Sequence, residues 1–354
     1  MPRSNDQRLT LAIAVDFPED ECALIREREP RVKLVPTGAL ARPRRYNSDW
    51  VGDPAFTRSD ADERAYREIL ESADAVVGLP DDSPEKLAAL VRSNPKLRWV
   101  HTMAAGGGAQ VKAAHLSSEE LERVTFTTSA GVHGSTLAEF AIFGLLAGAK
   151  NLRDLEDDQR AHVWPTIRVH PRHLDEMRVL ILGLGGIGKA VASRLKAFGS
   201  EVWGMSRSSR PVENVDRIVP REDLHDALSR VDAVVVTLPG TDETRHMLDR
   251  EAFSSMKKGM LLTNVGRGSV IDEAALLDAL DDGTVDFAAL DVVEREPLPH
   301  EHPLWDHEKA LLSPHSAALS SQEGMRIAAI VARNATALLD GTPLTNVVDT
   351  LNFY

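Results

Sequence analysis

Three short segments in the second half of the chain carry polar side chains that could act together on a small acid. Arg267 stands between two glycines, Glu296 precedes a proline and His315 follows one, each after an apolar run. These runs are predicted to be parallel strands, and in open α/β sheets ligands bind at the carboxyl ends of the strands. The three side chains are therefore expected to converge, although they are far apart in the sequence.

The three residue types suit the reduction of a 2-oxo acid. A guanidinium group can hold the substrate's oxygens with paired, planar hydrogen bonds. An imidazole titrates near neutrality, so it can donate a proton to the carbonyl oxygen or take it back, and a nearby carboxylate favours the imidazolium and orients the ring. Singly, each could be an ordinary surface residue, and Glu294 competes with Glu296; their joint placement favours catalysis.

Gly183, Gly185 and Gly188 have G-x-G-x-x-G spacing between a strand pattern and a helical pattern. Gly183 permits a tight turn, Gly185 lets the backbone approach a pyrophosphate, and Gly188 allows close packing of helix and strand. Free N–H groups at the start of the helix would bind the phosphates. A turn that serves only packing is the alternative, but the α/β pattern that follows favours dinucleotide binding.

The next predicted strand, 201–205, ends without the carboxylate that usually binds the ribose 2′-hydroxyl of NAD. It is followed by Ser206, Arg207, Ser208, Ser209 and Arg210. Hydroxyl and guanidinium groups suit a 2′-phosphate, which predicts a preference for NADP, with NAD as the alternative cofactor. The competing interpretation is that the two arginines are solvated loop charges.

Short apolar runs alternate with amphipathic stretches along the chain, which predicts an α/β protein with parallel sheets. The first part has strands predicted at 9–15, 75–79, 98–101 and 124–127, with 31–60 as a loop holding one short strand at most. The second part has six, at 178–182, 201–205, 233–237, 260–264, 287–291 and 310–312.

Two helices and one connection are also predicted. The apolar segment 135–151 predicts a buried helix capped by Ser135 or Thr136, where the chain passes between domains. The polar segment 152–175 predicts an exposed connection, and 322–339 predicts a helix that ends before Gly341 and Pro343.

Composition limits the classes of partner. The 354 residues predict two domains. The net charge of −13 disfavours nucleic acid and membrane partners, because an acidic surface repels phosphate groups. Cys22 is the only cysteine, which excludes an intrachain disulfide and favours a reducing compartment, so we expect a cytoplasmic protein. The apolar run 9–15 is too short to cross a membrane.

A metal site is not expected. His300, His302 and His307 lie near acidic residues, but Pro303 interrupts any helix there, and the chain has no H-x-x-x-H or cysteine pattern. The hydride chemistry needs no metal when an arginine and a histidine are available.

The chain resembles the D-isomer-specific 2-hydroxyacid dehydrogenase family, which includes glyoxylate and hydroxypyruvate reductases. The similarity is carried by the segments Gly183-Leu-Gly-Gly-Ile-Gly188, Asn264-Val-Gly-Arg-Gly-Ser-Val-Ile-Asp272, Glu296-Pro-Leu298 and Ser313-Pro-His315. It is strongest from 97 to 315. Formate dehydrogenases share the fold but have glutamine in place of Glu296, which argues against that branch.

The resemblance implies roles for individual residues. Arg267 would bind and polarise the substrate, His315 would be the general acid in reduction, Glu296 would pair with His315, and Asp291 would hold the nicotinamide carboxamide. The substrate carboxylate would be bound by backbone N–H groups of a glycine-containing loop, here at Ala105, Gly106 and Gly107. An aspartate commonly follows that loop, and this chain has Ala109-Gln110 instead. The expected cofactor-binding residues are Gly183, Gly185, Gly186, Ile187, Gly188, Ser206, Arg207, Arg210, Leu238, Pro239, Val265, Gly266, Asp291 and His315.

The resemblance also implies an architecture and an assembly. Two Rossmann-like or flavodoxin-like domains are expected, with the active site in the cleft between them. Residues 1–130 plus 318–354 would form the substrate-binding domain and 131–317 the dinucleotide-binding (Rossmann) domain. A homodimer is expected, formed by the cofactor domains and involving the helix from Ser135.

The sequence therefore predicts an NAD(P)-dependent D-2-hydroxyacid dehydrogenase, or 2-oxoacid reductase, that acts on a small 2-oxo or 2-hydroxy acid without a metal. The alternative is a dinucleotide-sensing, corepressor-like binding protein on the same fold, because fold alone does not give function.

Overall fold

The computed structural model describes residues 8–208, 210–351 and 353, which form two compact α/β units. The first unit comprises Met1–Val132 and Leu319–Tyr354, and the second comprises His133–Ala318. Each unit has its own parallel β-sheet covered by helices.

The strands in the described residues are β1 (Leu9–Ile13), β2 (Val32–Pro36), β3 (Ala75–Val77), β4 (Trp99–Thr102), β5 (Thr125–Thr128), β6 (Arg178–Leu182), β7 (Glu201–Met205), β8 (Arg217–Val219), β9 (Ala233–Val236), β10 (Met260–Asn264), β11 (Val285–Leu290) and β12 (Ala310–Leu312). The α-helices are α1 (Glu19–Arg28), α2 (Asp60–Glu71), α3 (Pro84–Ser93), α4 (Gly108–Ala113), α5 (Ser118–Arg123), α6 (Gly134–Ala149), α7 (Leu152–Ala161), α8 (Gly186–Phe198), α9 (Leu224–Leu228), α10 (Arg250–Ser254), α11 (Glu273–Asp281) and α12 (Glu323–Asp340).

The first unit has a five-stranded sheet in the order β2-β1-β3-β4-β5, with every pair parallel. This is the flavodoxin-like strand order, in which ligands bind beyond the carboxyl ends of the strands. Both faces of the sheet are buried: one carries a core that includes Val76 and Phe126, and the other packs on α1 and α12 through residues such as Ile25 and Val331.

The second unit has a seven-stranded parallel sheet in the order β12-β11-β10-β9-β6-β7-β8. Counted from β6, this order contains the 3-2-1-4-5-6 arrangement of dinucleotide-binding sheets. The strands are continuously apolar, as in Ala233–Val236, because both faces are buried. The two parallel sheets confirm the predicted fold class.

The predicted buried helix is α6, but its predicted cap is wrong. The helix begins at Gly134 after His133, and neither Ser135 nor Thr136 caps it; the Ser135 hydroxyl instead accepts a hydrogen bond from Arg194 at 2.7 Å. A β-carbon at Gly144 would lie 2.5 Å from Ala289, so this glycine allows the helix to approach the sheet closely.

Two elements were not predicted. The segment expected to be an exposed connection begins with α7, which buries no residue fully. Ion pairs between Arg153 and Glu156 and between Arg160 and Asp157 lie three residues apart along it and support the helix. The short edge strand β8 was missed as well, because three residues give no periodicity. None of the helices in the described residues has the length and apolar character needed to cross a membrane.

Candidate active site

The glycine turn follows β6 directly. Gly183 has a φ of +103°, and its N–H donates to the carbonyl of Met205 on β7 at 3.1 Å. The Thr237 hydroxyl donates to the Gly183 carbonyl at 2.7 Å. A β-carbon at Gly188 would lie 1.9 Å from that same carbonyl oxygen, so Gly188 is required for the contact between helix and turn.

Close packing does not explain Gly185. Gly185 and Gly186 are exposed, and a β-carbon at Gly185 would have no atom within 4 Å. The helix α8 begins at Gly186, and the first N–H groups of any helix lack intrahelical acceptors. No side chain caps this helix start in their place. An anionic group can therefore approach the backbone at this helix start, as a pyrophosphate requires.

The end of β7 adjoins this turn. Ser206 is partly buried, while Arg207 and Arg210 are exposed. The Ser206 hydroxyl accepts a hydrogen bond from the Ser208 N–H at 3.3 Å, which shapes the loop. Ser209 lies outside the described residues.

Arg267 is placed by the turn after β10. The Asn264 side chain accepts from the Gly266 N–H at 3.0 Å and donates to the Arg267 carbonyl at 3.1 Å. A β-carbon at Gly266 would lie 2.6 Å from the Leu238 carbonyl, which fixes Val265–Gly266 against the Leu238–Pro239 segment after β9. The sequence analysis assigned no role to Asn264. Its position at the end of a predicted strand, at the start of the Asn264–Asp272 motif, could have indicated one.

Arg267 itself is exposed, and its guanidinium donates to the Gly266 carbonyl at 2.7 Å. A β-carbon at Gly268 would lie 1.9 Å from the carbonyl carbon of Val293. The arginine turn therefore rests directly on the backbone of the segment that leads to Glu296.

His315 and Glu296 form an ion pair or a strong hydrogen bond. The His315 Nδ1 lies 2.7 Å from the Glu296 Oε2, and their side chains are 45% and 38% exposed. Nδ1 is thus engaged, whereas Nε2 has no hydrogen-bond partner among the described residues. Glu294 pairs instead with Arg245 and His246 at 2.9 and 2.8 Å, so Glu296 is the carboxylate that contacts His315.

The backbone holds His315 in an unusual conformation. Its φ is +54°, and its N–H donates to the carbonyl of Asp291 at 2.9 Å. A histidine in the left-handed region is uncommon and occurs where the surroundings fix it.

Asp291 is 1% exposed and has one unsatisfied oxygen. Its Oδ1 accepts from the Ser313 hydroxyl at 2.7 Å and from the N–H groups of Ser316 and Ala317 at 2.9 and 3.0 Å. Its Oδ2 is buried without a partner. Buried acceptors are normally satisfied, so this oxygen fits an external donor such as a carboxamide NH₂. With the open glycine turn, it shows that the second unit fits a nicotinamide dinucleotide.

The glycine-containing loop of the first unit follows β4. Ala105 and Gly106 are exposed, and their N–H groups donate no hydrogen bond to a described residue. Gly107 is buried, and a β-carbon there would lie 1.8 Å from the Thr102 hydroxyl. This loop therefore presents two free N–H donors, which suits a carboxylate.

His101 just before this loop is structural. It is fully buried, and its ring nitrogens contact the hydroxyls of Thr127 and Ser129 at 2.9 and 3.1 Å. Burial lowers the pKa of His101 to about 3, so the ring stays neutral.

The histidines considered for a metal are dispersed. His302 contacts Glu273 at 3.3 Å and His307 contacts Asp281 at 3.4 Å, in separate pairs. Within the described part of the chain, no three histidine, cysteine, aspartate or glutamate side chains are grouped so that they could hold a metal ion.

The geometry of the second unit fits a protein that binds a nicotinamide dinucleotide, and the comparisons with known proteins give its class. Residues 142–317 match the family model of the D-isomer specific 2-hydroxyacid dehydrogenase, NAD binding domain. The glyoxylate reductase of Aeropyrum pernix is 34% identical over 268 residues, which cover 73% of this chain and 78% of that protein. The chain belongs to the D-isomer specific 2-hydroxyacid dehydrogenase family, and it is an NAD(P)-dependent oxidoreductase acting on the CH–OH group of 2-hydroxy acids.

Solved structures agree with this assignment. A D-isomer specific 2-hydroxyacid dehydrogenase from Xanthobacter autotrophicus Py2, in complex with NADPH and MES, is 30% identical with a TM-score of 0.76, covering 98% of this chain and 100% of that one. An NADPH-dependent glyoxylate/hydroxypyruvate reductase from Sinorhizobium meliloti, in complex with NADP and sulfate, is 25% identical with a TM-score of 0.75 and the same coverage.

Proposed function

We propose that this enzyme reduces a small 2-oxo acid of the glyoxylate and hydroxypyruvate class with NADPH, and that His315 is the general acid. The observation that carries the proposal is the 2.7 Å contact between His315 Nδ1 and Glu296, which leaves Nε2 available for proton transfer. The similar enzymes named as glyoxylate or glyoxylate/hydroxypyruvate reductases support this substrate class.

In the proposed reaction, bound NADPH supplies a hydride to C2 of the substrate. Arg267 binds the carboxylate and the carbonyl oxygen through its planar guanidinium, and it stabilises the negative charge that develops on that oxygen. His315 Nε2 donates a proton to the oxygen, and Glu296 stabilises the imidazolium and orients its ring. The N–H groups of Ala105 and Gly106 bind the substrate carboxylate.

The second unit would hold the dinucleotide along the carboxyl ends of its strands. The N–H groups at the start of α8, beside Gly185, bind the pyrophosphate, and the buried Oδ2 of Asp291 accepts from the carboxamide. Ser206, Arg207 and Arg210 bind the 2′-phosphate, which is the basis of the preference for NADP. The absence of a carboxylate between Ser206 and Arg210, together with the NADP-bound relatives, supports that preference.

Oxidation of NADPH in the presence of glyoxylate or hydroxypyruvate tests the catalytic assignment. His315→Ala is expected to lower kcat by about 10²–10⁴-fold, and Glu296→Gln by a smaller factor. Dinucleotide binding should persist in both variants. The exposed neighbours His300 and Glu301 supply matched controls, His300→Ala and Glu301→Gln, which should retain turnover.

Two results would contradict the assignment. Normal turnover by His315→Ala would remove His315 from the mechanism. Tight dinucleotide binding by the wild type, without turnover of any 2-oxo acid in a broad panel, would favour the alternative of a dinucleotide-responsive binding protein.

We also propose that the protein is a homodimer formed through the second unit. Large apolar side chains are concentrated after α6: Trp164 is 88% exposed, Ile167 86% and Val169 72%. Phe143 on α6 is itself 47% exposed. A soluble monomer rarely exposes so many large apolar groups in one short segment, so a second copy of the chain is the expected cover.

Light scattering after size exclusion tests the dimer. The double change Trp164→Glu and Ile167→Glu is expected to shift the mass from two chains to one, because it places charges in the apolar contact. Leu351→Glu, at a residue 88% exposed outside this segment, is the control and should leave the mass unchanged. A monomeric wild type would contradict the proposal.

A further inference from the structure

The first unit carries an acidic residue beside its glycine-containing loop. The Gln110 N–H donates to the Gly107 carbonyl at 3.1 Å, and the Gln110 amide donates to the Asp82 Oδ1 at 2.5 Å. Asp82 follows β3 and the loop follows β4, which are neighbours in the sheet. Asp82 therefore lies at the same sheet edge as the loop and is linked to it by two hydrogen bonds.

Only one carboxylate oxygen of Asp82 is engaged. Its Oδ2 accepts no hydrogen bond from a described residue, and it is not among the buried atoms without a partner, so it keeps contact with solvent. The pKa of Asp82 is raised, mainly by burial of the carboxyl group. The hydrogen bond from Gln110 and the charge of Arg42 lower the pKa but do not cancel this rise. One oxygen is thus held in place, and the other is presented outward.

The Asp81–Asp82 turn is fixed by a buried cation. Both residues have positive φ values, +51° and +55°. The Arg58 guanidinium donates to both oxygens of Asp81 at 2.9 Å, and the Arg58 and Asp81 side chains are only 5% and 3% exposed. Arg58 also lies 3.9 Å from the ring centroid of Tyr66, whose hydroxyl donates to the Ala14 carbonyl at 2.7 Å.

Contacts beyond the Gln110 hydrogen bond fix the backbone at Asp82. Two consecutive residues in the left-handed region cost free energy, and such conformations persist only where neighbouring contacts impose them. The Gln110 hydrogen bond alone would suffice to connect the Asp81–Asp82 turn to α4. The turn is instead held from its other side by Arg58, which preorganises the outward oxygen of Asp82.

We propose that Asp82 determines specificity at the substrate's C3 position, where it accepts a hydrogen bond from a hydroxyl group and excludes a carboxylate. This inference rests on the proposed function, because it needs the loop at Ala105–Gly106 to bind the substrate carboxylate. A substrate anchored there extends its C3 group along the sheet edge on which Asp82 lies. A hydroxymethyl group can donate to Oδ2, a methyl group cannot, and a second carboxylate meets a like charge.

The wild type provides the first test, through kcat/KM for glyoxylate, pyruvate, hydroxypyruvate and oxaloacetate at pH 8. These substrates carry at C2 a hydrogen, a methyl, a hydroxymethyl and a carboxymethyl group. Hydroxypyruvate is expected to exceed pyruvate by about 10-fold or more, and oxaloacetate to fall below pyruvate by at least as much. If oxaloacetate and pyruvate are reduced equally well, the inference is overturned without any variant. If no 2-oxo acid is reduced, the proposed function itself fails.

Two variants then assign the selectivity to the charge of Asp82. Asp82→Asn is expected to raise the oxaloacetate-to-glyoxylate ratio of kcat/KM by about 10–100-fold, because asparagine tolerates the left-handed backbone and removes the charge. Asp82→Glu keeps the charge and should keep the wild-type rejection of oxaloacetate. Equal shifts in both variants, or a shift below threefold in Asp82→Asn, would overturn the inference. Asp60→Asn, at an exposed position on α2, is the control for a generic loss of negative charge.

Discussion

Glu21 provides a test of how a buried carboxylate affects the stability of the first unit. It lies on α1 and is 7% exposed, and its Oε2 is buried without a hydrogen-bond partner. A β-carbon at Gly324 would lie 1.8 Å from its Oε1, so the carboxyl group packs directly against the backbone at the start of α12. Glu323, also buried, accepts a hydrogen bond from the Trp50 indole at 2.8 Å.

The charges around Glu21 do not compensate for its burial. Desolvation raises its pKa from the ordinary 4.5 to about 7, Arg44 opposes this rise, and Asp20, Asp16 and Glu323 add to it. The folded protein therefore binds this proton more tightly than the unfolded chain does, so stability falls as the pH rises from about 4.5 to 7. Above pH 7 the cost is on the order of 3 kcal/mol.

Glu21→Gln removes the charge and keeps the shape of the side chain. We expect the variant to be more stable than the wild type by about 1–3 kcal/mol at pH 8, with no such advantage at pH 5, where Glu21 is protonated in the folded state. Urea unfolding followed by circular dichroism at pH 5, 6, 7 and 8 measures the difference. The matched control is Glu27→Gln, at an exposed position on the same helix, which should change stability by less than about 0.5 kcal/mol.

The outcome that would refute this reasoning is a specific one. If the stability difference between Glu21→Gln and the wild type is the same at pH 8 as at pH 5, the carboxylate has a favourable partner and the cost of burial is not the dominant effect. A wild type whose stability does not fall between pH 5 and 7 would lead to the same conclusion.

The dinucleotide site yields two further predictions. Gly188→Ala should lower the thermal midpoint strongly or prevent folding, because its β-carbon would lie 1.9 Å from the Gly183 carbonyl oxygen. The β-carbon of Gly185→Ala meets no atom, so this variant should only raise the KM for NADPH. Differential scanning fluorimetry with NADPH titration distinguishes the two variants, and equal destabilisation would contradict the assignment. Arg207→Ala should lower kcat/KM with NADPH by about 10–100-fold and with NADH by less than threefold; equal losses with both cofactors would show that Arg207 does not contact the 2′-phosphate.

The features that sequence could predict are those encoded by local pattern. Apolar runs located all the strands except the short edge strand β8, with β2 as the one short strand that the loop 31–60 was expected to hold. The glycine spacing located the turn at Gly183, where Gly188 is required by packing and Gly185 leaves the backbone open. The contact between His315 and Glu296 was predictable, since parallel strands bring their carboxyl ends to one edge. Family resemblance supplied the choice of Glu296 over Glu294, which the residues alone left open.

The features that sequence could not predict depend on long-range contacts. Arg58 and Asp81 are 23 residues apart and form a buried pair, and nothing in the charged segment around either marks one partner for the other. The same holds for Glu21, whose burial depends on α12, roughly three hundred residues further along the chain. The sequence pattern located α6 and α12, but it did not show which charged residue a distant helix would enclose.

The proposed catalytic residues of the second unit lie on turns that are joined to one another by their backbones. The Asp291 N–H donates to the Asn264 carbonyl at 3.0 Å, and the His315 N–H donates to the Asp291 carbonyl at 2.9 Å. These bonds continue the ladders of β10, β11 and β12 beyond the strand ends. Gly268 places the Arg267 turn on Val293, which in turn donates to Glu296 at 3.3 Å.

This construction explains how exposed side chains can still be well positioned. Arg267, Glu296 and His315 are all exposed, so their own packing contributes little to holding them. The rigidity of three adjacent strands supplies the orientation instead, because a hydrogen-bonded ladder cannot shift one turn without breaking contacts with the next. A β-carbon added at Gly268 should therefore disturb both the arginine and the glutamate, although it touches neither side chain.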